Sequence, residues 1–173
     1  MRLGQIGIRL VENYSEEDRL SLSGGESDSS QTDHYHLQWQ PKVHNVLILE
    51  DGRTVSHAGL VKRTIKVGER PVQVAGIGGV LTRPDCRGRG FGEMAVQKAQ
   101  ELALEYMLVN FALLFCRPAM RIWYERLGWS PLLVQVWIDQ PQGTIQAPLP
   151  TMVKCLSQET WPGGAVRIGC LPW

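Results

Sequence analysis

The stretch Val80-Leu81-Thr82-Arg83-Pro84-Asp85-Cys86-Arg87-Gly88-Arg89-Gly90-Phe91-Gly92 decides how this chain reads. An apolar run ends, a basic glycine-rich turn follows, and helical periodicity begins inside that turn. Such a turn aims several backbone N–H groups into one hollow, and the start of the helix adds about half a positive charge. Glycines let the backbone come close to an anion without a Cβ in between, and Arg87 and Arg89 supply further donors. The physical expectation is a cradle for a diphosphate. A Lys followed by Ser or Thr, the hallmark of a P-loop, is missing, which speaks against a nucleoside triphosphatase.

The flanking sequence supplies the frame. Before the turn, Ile6–Val11, 45–49, 54–67 and 72–82 read as strands. Asp51-Gly52 makes one hairpin turn, and Gly68 sits in the next. Three of these strands form an antiparallel meander, so the turn does not open a parallel dinucleotide-binding unit. After Pro84 the period changes. Ala95, Ala99, Leu102, Ala103 and Tyr106 share one helical face. The apolar run 111–116 predicts a strand covered on both faces. A second helix is expected over 119–127, closed by Gly128, and strands over 132–138 and near 151–156. The fold class expected is mixed α/β (α+β), one domain over residues 1–173, with short helical pieces at 16–22 and 34–39.

Composition narrows the function. In 173 residues, 43% are hydrophobic and 20% charged, as in a globular domain. Eighteen basic and 17 acidic side chains leave a net charge of +1, which argues against nucleic acid or a membrane surface as partner. No apolar run approaches the ~18–20 residues of a membrane span. The four cysteines are far apart, so reduced thiols and a cytoplasmic location are expected, without a metal site. The charge is unevenly spread, net −5 over 15–33 and net +6 over 53–90. One reading assigns these regions to two ligands of opposite sign, the other to solvated surface.

Arg87-x-x-Gly90-x-Gly92 after a meander strand resembles the acetyl-coenzyme A motif of the GCN5-related N-acetyltransferase (GNAT) superfamily. The run from Arg117 to Trp129, with Tyr124 ahead of Gly128-Trp129, is similar to the family's second signature. Together the likeness covers about residues 46–136. Residues 51–58 and the Tyr124–Trp129 element are similar to bacterial aminoglycoside 2′-N-acetyltransferases. Residues 65–68, 125–127 and 161–166 resemble the rhizobial nodulation acyltransferases that N-acylate chitooligosaccharides.

The resemblance implies a sheet whose central strands splay, with flanking helices. Acetyl-CoA would be held by Val80, Leu81, Thr82, Arg87, Gly88, Arg89, Gly90, Phe91 and Gly92. A bulge is expected at Gly76, Gly78 and Gly79, and Tyr124 is implied as donor to the departing thiolate. The favoured acceptor is an aminoglycoside-like amino sugar or polyamine, a small-molecule amine held by Asp28, Asp33, Gly79 and the Trp173 carboxylate. A homodimer is compatible with the sequence. Gly78 stands where those aminoglycoside enzymes carry a Glu base, leaving water, a backbone carbonyl or the acidic 15–33 loop to take the proton. Two alternatives stay open: an N-acyltransferase for longer chains or a neutral sugar, and a non-catalytic CoA sensor. His34, His36, His44 and His57 lack ligand spacing and read as surface or strand residues.

Overall fold

The computed structural model describes residues 4–24 and 31–173. β1 (Ile6–Val11) is followed by α1 (Glu16–Ser23), whose first turn is closed by a reciprocal Ser15–Asp18 capping box. After a 3-10 turn at Asp33–Tyr35 come β2 (His44–Glu50), β3 (Arg53–Val67) and β4 (Arg70–Thr82), the expected meander. α2 (Phe91–Glu105) starts two residues after Arg89, then β5 (Phe111–Phe115). The second predicted helix is a 3-10 turn, Pro118–Met120, running into a short α3 (Arg121–Arg126).

The C-terminal third departs most from expectation. In place of one strand over 132–138 there are β6 (Ser130–Pro131) and β7 (Val136–Gln140), with Leu133 protruding between them, 87% exposed. β8 (Gly143–Gln146), β9 (Thr151–Cys155) and β10 (Val166–Arg167) follow. Only β9 was expected. β8 and β10 are too short for an alternation to register and lie among Pro and Gly.

Among the described residues the strands form one mixed sheet in the order β6-β9-β5-β4-β3-β10-β7-β8, with β2 and β1 branching from β3. The branch arises because β3 is 15 residues long: its first half pairs with β2 and its last two residues with β10. Pairing is antiparallel except for β4 with β5 and β10 with β7. One face of the sheet buries Val46, Leu60, Ala75 and Ile77 against Ala95, Ala99 and Ala103 of α2. The other buries Val61, Val74, Leu113, Ile138 and Trp173. Small residues on the inner face of α2 let the helix lie close on the strands, and that seats its N-terminus at the end of β4.

Candidate active site

The site begins where two neighbouring strands part. β4 and β5 pair only through Ala75↔Ala112 and Gly76↔Leu113. Past Gly76, β4 runs on to Thr82 while β5 stops at Phe115. The register against β3 also slips: Gly59 faces Gly78 and His57 faces Leu81, so Ala58 opposes both Gly79 and Val80. This is a β-bulge, with Gly79 at φ +60°, and it bends β4 away from β5. The bulge lies within the glycine triplet expected from the sequence. Between the diverging strands opens a cleft of about 850 Å³, lined on the β4 side by Val80, Leu81 and Thr82 and on the other by Cys116, Arg117 and Tyr124.

One end of the cleft is the glycine turn. Gly88 and Gly90 have φ of +75° and +83°, and a Cβ built on either would meet no atom within 4 Å. Both positions therefore face open space, and the first-turn N–H groups of α2 have no carbonyl above them within the helix. Phe91 is buried and anchors the helix start. Gly92 has another duty: a Cβ there would come within 3.0 Å of Thr82 Oγ1, so its absence lets α2 rest on β4. Arg87 Nε donates to Thr82 O at 3.2 Å and lines the cleft. Arg89 does not line it; it pairs with Glu50 and lies over the Phe91 ring at 4.9 Å. The sequence put both arginines in the cradle, whereas the structure turns one toward β2. Backbone donors without a Cβ, a helix start and Arg87 fit the diphosphate of coenzyme A.

Tyr124 lies on the opposite wall, buried and packed edge-on against Trp123 and Trp129. Burial, reinforced by the nearby Cys116 thiol, pushes its phenol far above the usual range. It therefore stays protonated at every working pH. The same cause lifts Cys116 to about 11 and raises Cys86, which is buried and unreactive in character despite its arginine neighbour.

His57 is not a surface residue. It is 3% exposed and faces the cleft, with Nδ1 2.6 Å from Gly79 O, Nε2 2.8 Å from Asn45 Oδ1 and the Tyr14 ring 4.7 Å away. Asn45 uses its amide nitrogen on Glu12 O at 2.7 Å, which fixes its oxygen toward the imidazole. Burial brings His57 down to about 4 against the pull of the Gly79 carbonyl, with the charge of Lys42 acting in the same sense as burial. His57 thus ties β3 to the bulge through Gly79.

Lys42, absent from every sequence expectation, lines the same cleft. No local pattern marks it, since its surroundings come from strands 17 to 37 residues away. Of the expected acceptor residues, Gly79 and Trp173 line the cleft and the two aspartates are not among its described lining. Asp28 lies outside the described residues. Asp33 sits exposed on its 3-10 turn and is not part of the described cleft wall. Asp18 of the acidic run bonds Arg9 at 2.6 Å and Thr54 at 2.5 Å, and Glu16 pairs with Arg19. That charge serves α1 itself. Trp173 has its indole buried over Gly76, with Nε1 donating to Leu113 O at 3.2 Å, while its main-chain carbonyl reaches Gly78. Among the described residues, no helix is long and apolar enough to cross a membrane, and no three of His, Cys, Asp and Glu gather as metal ligands.

Comparison with known proteins fits this geometry. The chain superposes on the GNAT family N-acetyltransferase YhbS of Escherichia coli, solved in complex with CoA, with a TM-score of 0.62 at 14% identity, covering 95% of this chain and 90% of that one. A GNAT family acetyltransferase from Brucella melitensis, solved with acetyl-CoA, gives 0.53 at 13% identity over 92% and 94%. In sequence the chain is 32% identical to nodulation protein A of Rhizobium leguminosarum bv. trifolii over 133 residues, 66% of this chain and 65% of that protein. It thus spans just under two thirds of that relative's length. The family model for nodulation protein A (NodA) matches residues 38–166. With the fold of the GCN5-related N-acetyltransferases, the chain belongs to the nodulation protein A family.

Proposed function

We propose that the chain is a coenzyme A-dependent N-acyltransferase that acylates the primary amine of an amino sugar. The observation that carries this reading is the parting of β4 and β5 past Gly76, with a Cβ-free anion hollow at Gly88 and Gly90 closing one end of the gap. A thioester carrier with a diphosphate at one end and an extended amide arm matches both parts. The arm would lie along Val80–Thr82 like an added strand. Bound acyl-CoA supplies an activated carbonyl. Around it, backbone N–H groups at the bulge would stabilise negative charge on the carbonyl oxygen. Tyr124, always a phenol, would offer a hydrogen bond to the leaving sulfur. With its pKa held so far above a thiol's usual ~8.5, it would not give its proton away completely.

The walls speak about the acceptor. Among the described residues, the charged side chains of the cleft are Arg19, Lys42, Arg87 and Arg117 against Glu93. With Glu93 as the one acidic side chain among these, the wall offers little to hold a polycation such as an aminoglycoside drug and suits a sugar chain bearing a single amine. Family membership favours the same acceptor and longer acyl chains. The test is calorimetry with coenzyme A, then thiol release from acetyl-CoA and long-chain acyl-CoA. The acceptors are kanamycin-type drugs and a chitin oligomer carrying one free terminal amine. Turnover on the oligomer is expected; turnover confined to the drugs, or no heat with coenzyme A, overturns the proposal.

A further inference from the structure

Lys42 is held in a slot built from missing side chains. A Cβ on Gly59 would lie 2.3 Å from Lys42 Cγ, one on Gly78 would lie 3.0 Å from its Cε, and one on Gly79 would lie 3.7 Å from it. Gly59 and Gly78, on two adjacent strands, thus clear a path for this aliphatic stem, whose end lies in ordinary contact with the bulge at Gly79. The backbone on either side is pinned: Gln40 N donates to Pro172 O at 2.6 Å and Val43 N to Leu60 O at 3.0 Å. Lys62, Lys98 and Lys154 each bond an oxygen through Nζ. Lys42, although lining the cleft, has no hydrogen bond or ion pair among the described residues.

From this geometry, and resting on the acyltransfer reading above, we infer that the Lys42 amine is the proton acceptor for the attacking amine of the acceptor sugar. As the acceptor nitrogen bonds to the thioester carbon and the carbon–sulfur bond breaks, one N–H proton of the acceptor passes to Lys42 Nζ. The departing thiolate then takes a proton from the Lys42 ammonium through the cleft solvent, while Tyr124 donates a hydrogen bond to the sulfur. Amine plus thioester gives amide plus thiol, and the chain returns to its starting protonation.

The surroundings favour a neutral amine. Burial lowers the Lys42 pKa. The groups facing it are His57 on β3, with Tyr14 behind its ring, and the Trp173 carboxylate, whose charge opposes the effect of burial. β4 carries no titratable side chain between Arg70 and Arg83. Arg87 and Tyr124 line the same cleft.

Two readings of one protein set test this. In protein labelled at lysine Cε, the Lys42 carbon, assigned by its loss in Lys42→Met, is expected to titrate at lower pH than free lysine. Titration at the free-lysine value overturns the inference whatever the acceptor. With the chitin oligomer and acetyl-CoA, Lys42→Met and Lys42→Arg are both expected to lose about 10²–10⁴-fold in kcat near neutral pH. The acyl-CoA KM should be unchanged, and Lys42→Met should regain rate as rising pH neutralises the acceptor amine itself. An active Lys42→Arg would mean that positive charge suffices and would overturn the base role. Calorimetry with coenzyme A separates the two levels. Normal heat in an active Lys42→Arg sinks only this inference; no heat in the unmodified chain sinks the acyltransfer reading beneath it.

Discussion

Replacing Gly76 by Ala should damage the chain through a single buried contact. A Cβ at this position falls 2.1 Å from Trp173 Cε2, inside the indole. The ring is 2% exposed, packs against Phe115 at 5.6 Å and donates to Leu113 O at 3.2 Å. Because β4 backbone cannot retreat from both β3 and β5, the indole must leave. The upper limit of the cost is then the loss of Trp173, about 3–5 kcal/mol for a buried Trp→Ala change. For a chain of this size that lowers Tm by roughly 6–20 °C. Once the indole is gone the extra methyl meets nothing, so Gly76→Ala in a Trp173→Ala background should cost less than about 1 kcal/mol. Thermal melts and urea titrations of both single variants and the double variant give the coupling directly. Additive losses, or a Gly76→Ala chain that melts like the parent, would refute the argument that Gly76 exists to seat Trp173.

Other outcomes follow from the same structure. Ala at Gly88 or Gly90 finds room but must adopt φ near +80°, at about 1–2 kcal/mol of backbone strain; calorimetry should show weaker coenzyme A binding, and unchanged affinity would remove the cradle. Arg87→Ala should weaken that binding at least ~10-fold whereas Arg89→Ala, already committed to Glu50, should not, since a charge-assisted hydrogen bond contributes about 1.5–3 kcal/mol. His57 stays neutral down to about pH 4 when folded but gains a proton below about 6.5 when unfolded. The unfolded chain therefore takes up the extra proton between those values, and stability falls as pH drops through that window. Urea midpoints at pH 7 and 4.5 should show the parent losing about 2–3 kcal/mol more than His57→Gln; equal losses would place a charged imidazole in the fold. Iodoacetamide at pH 7.5 should label exposed Cys155 and spare Cys86 and Cys116 in the native chain, as their raised thiol pKa values require.

The meander, α2, the glycine hollow and the bulge were legible in the sequence because each is a local demand. A strand alternates, a helix repeats at 3.6, and a positive φ asks for Gly at 79, 88 and 90. That Tyr124 lines the cleft agrees with its place ahead of Gly128 and Trp129 in the sequence. What the sequence did not reveal is what the sheet assembles from afar. Arg89 carries the same chemistry as Arg87 in the string, and only the proximity of Glu50 on β2 tells them apart. His57 read as a surface or strand residue; it is on β3, and β2 and the bulge enclose it. Lys42 has no motif at all: its slot is cut by Gly59 and Gly78, whose purpose shows only when their missing Cβ atoms are drawn. The acidic run suggested an amine-binding wall because composition cannot show that Asp18 is already spent on Arg9 and Thr54.

Trp173 has one more consequence. Its indole covers Gly76 and takes the Leu113 carbonyl, so it caps one face of the fork at the place where β4 and β5 separate. The last paired rung of the fork is therefore covered by a side chain of the chain itself, and the gap begins just beyond it. A long, thin guest can slide into a rigid groove, surrendering only its own freedom and leaving the host's shape as it was.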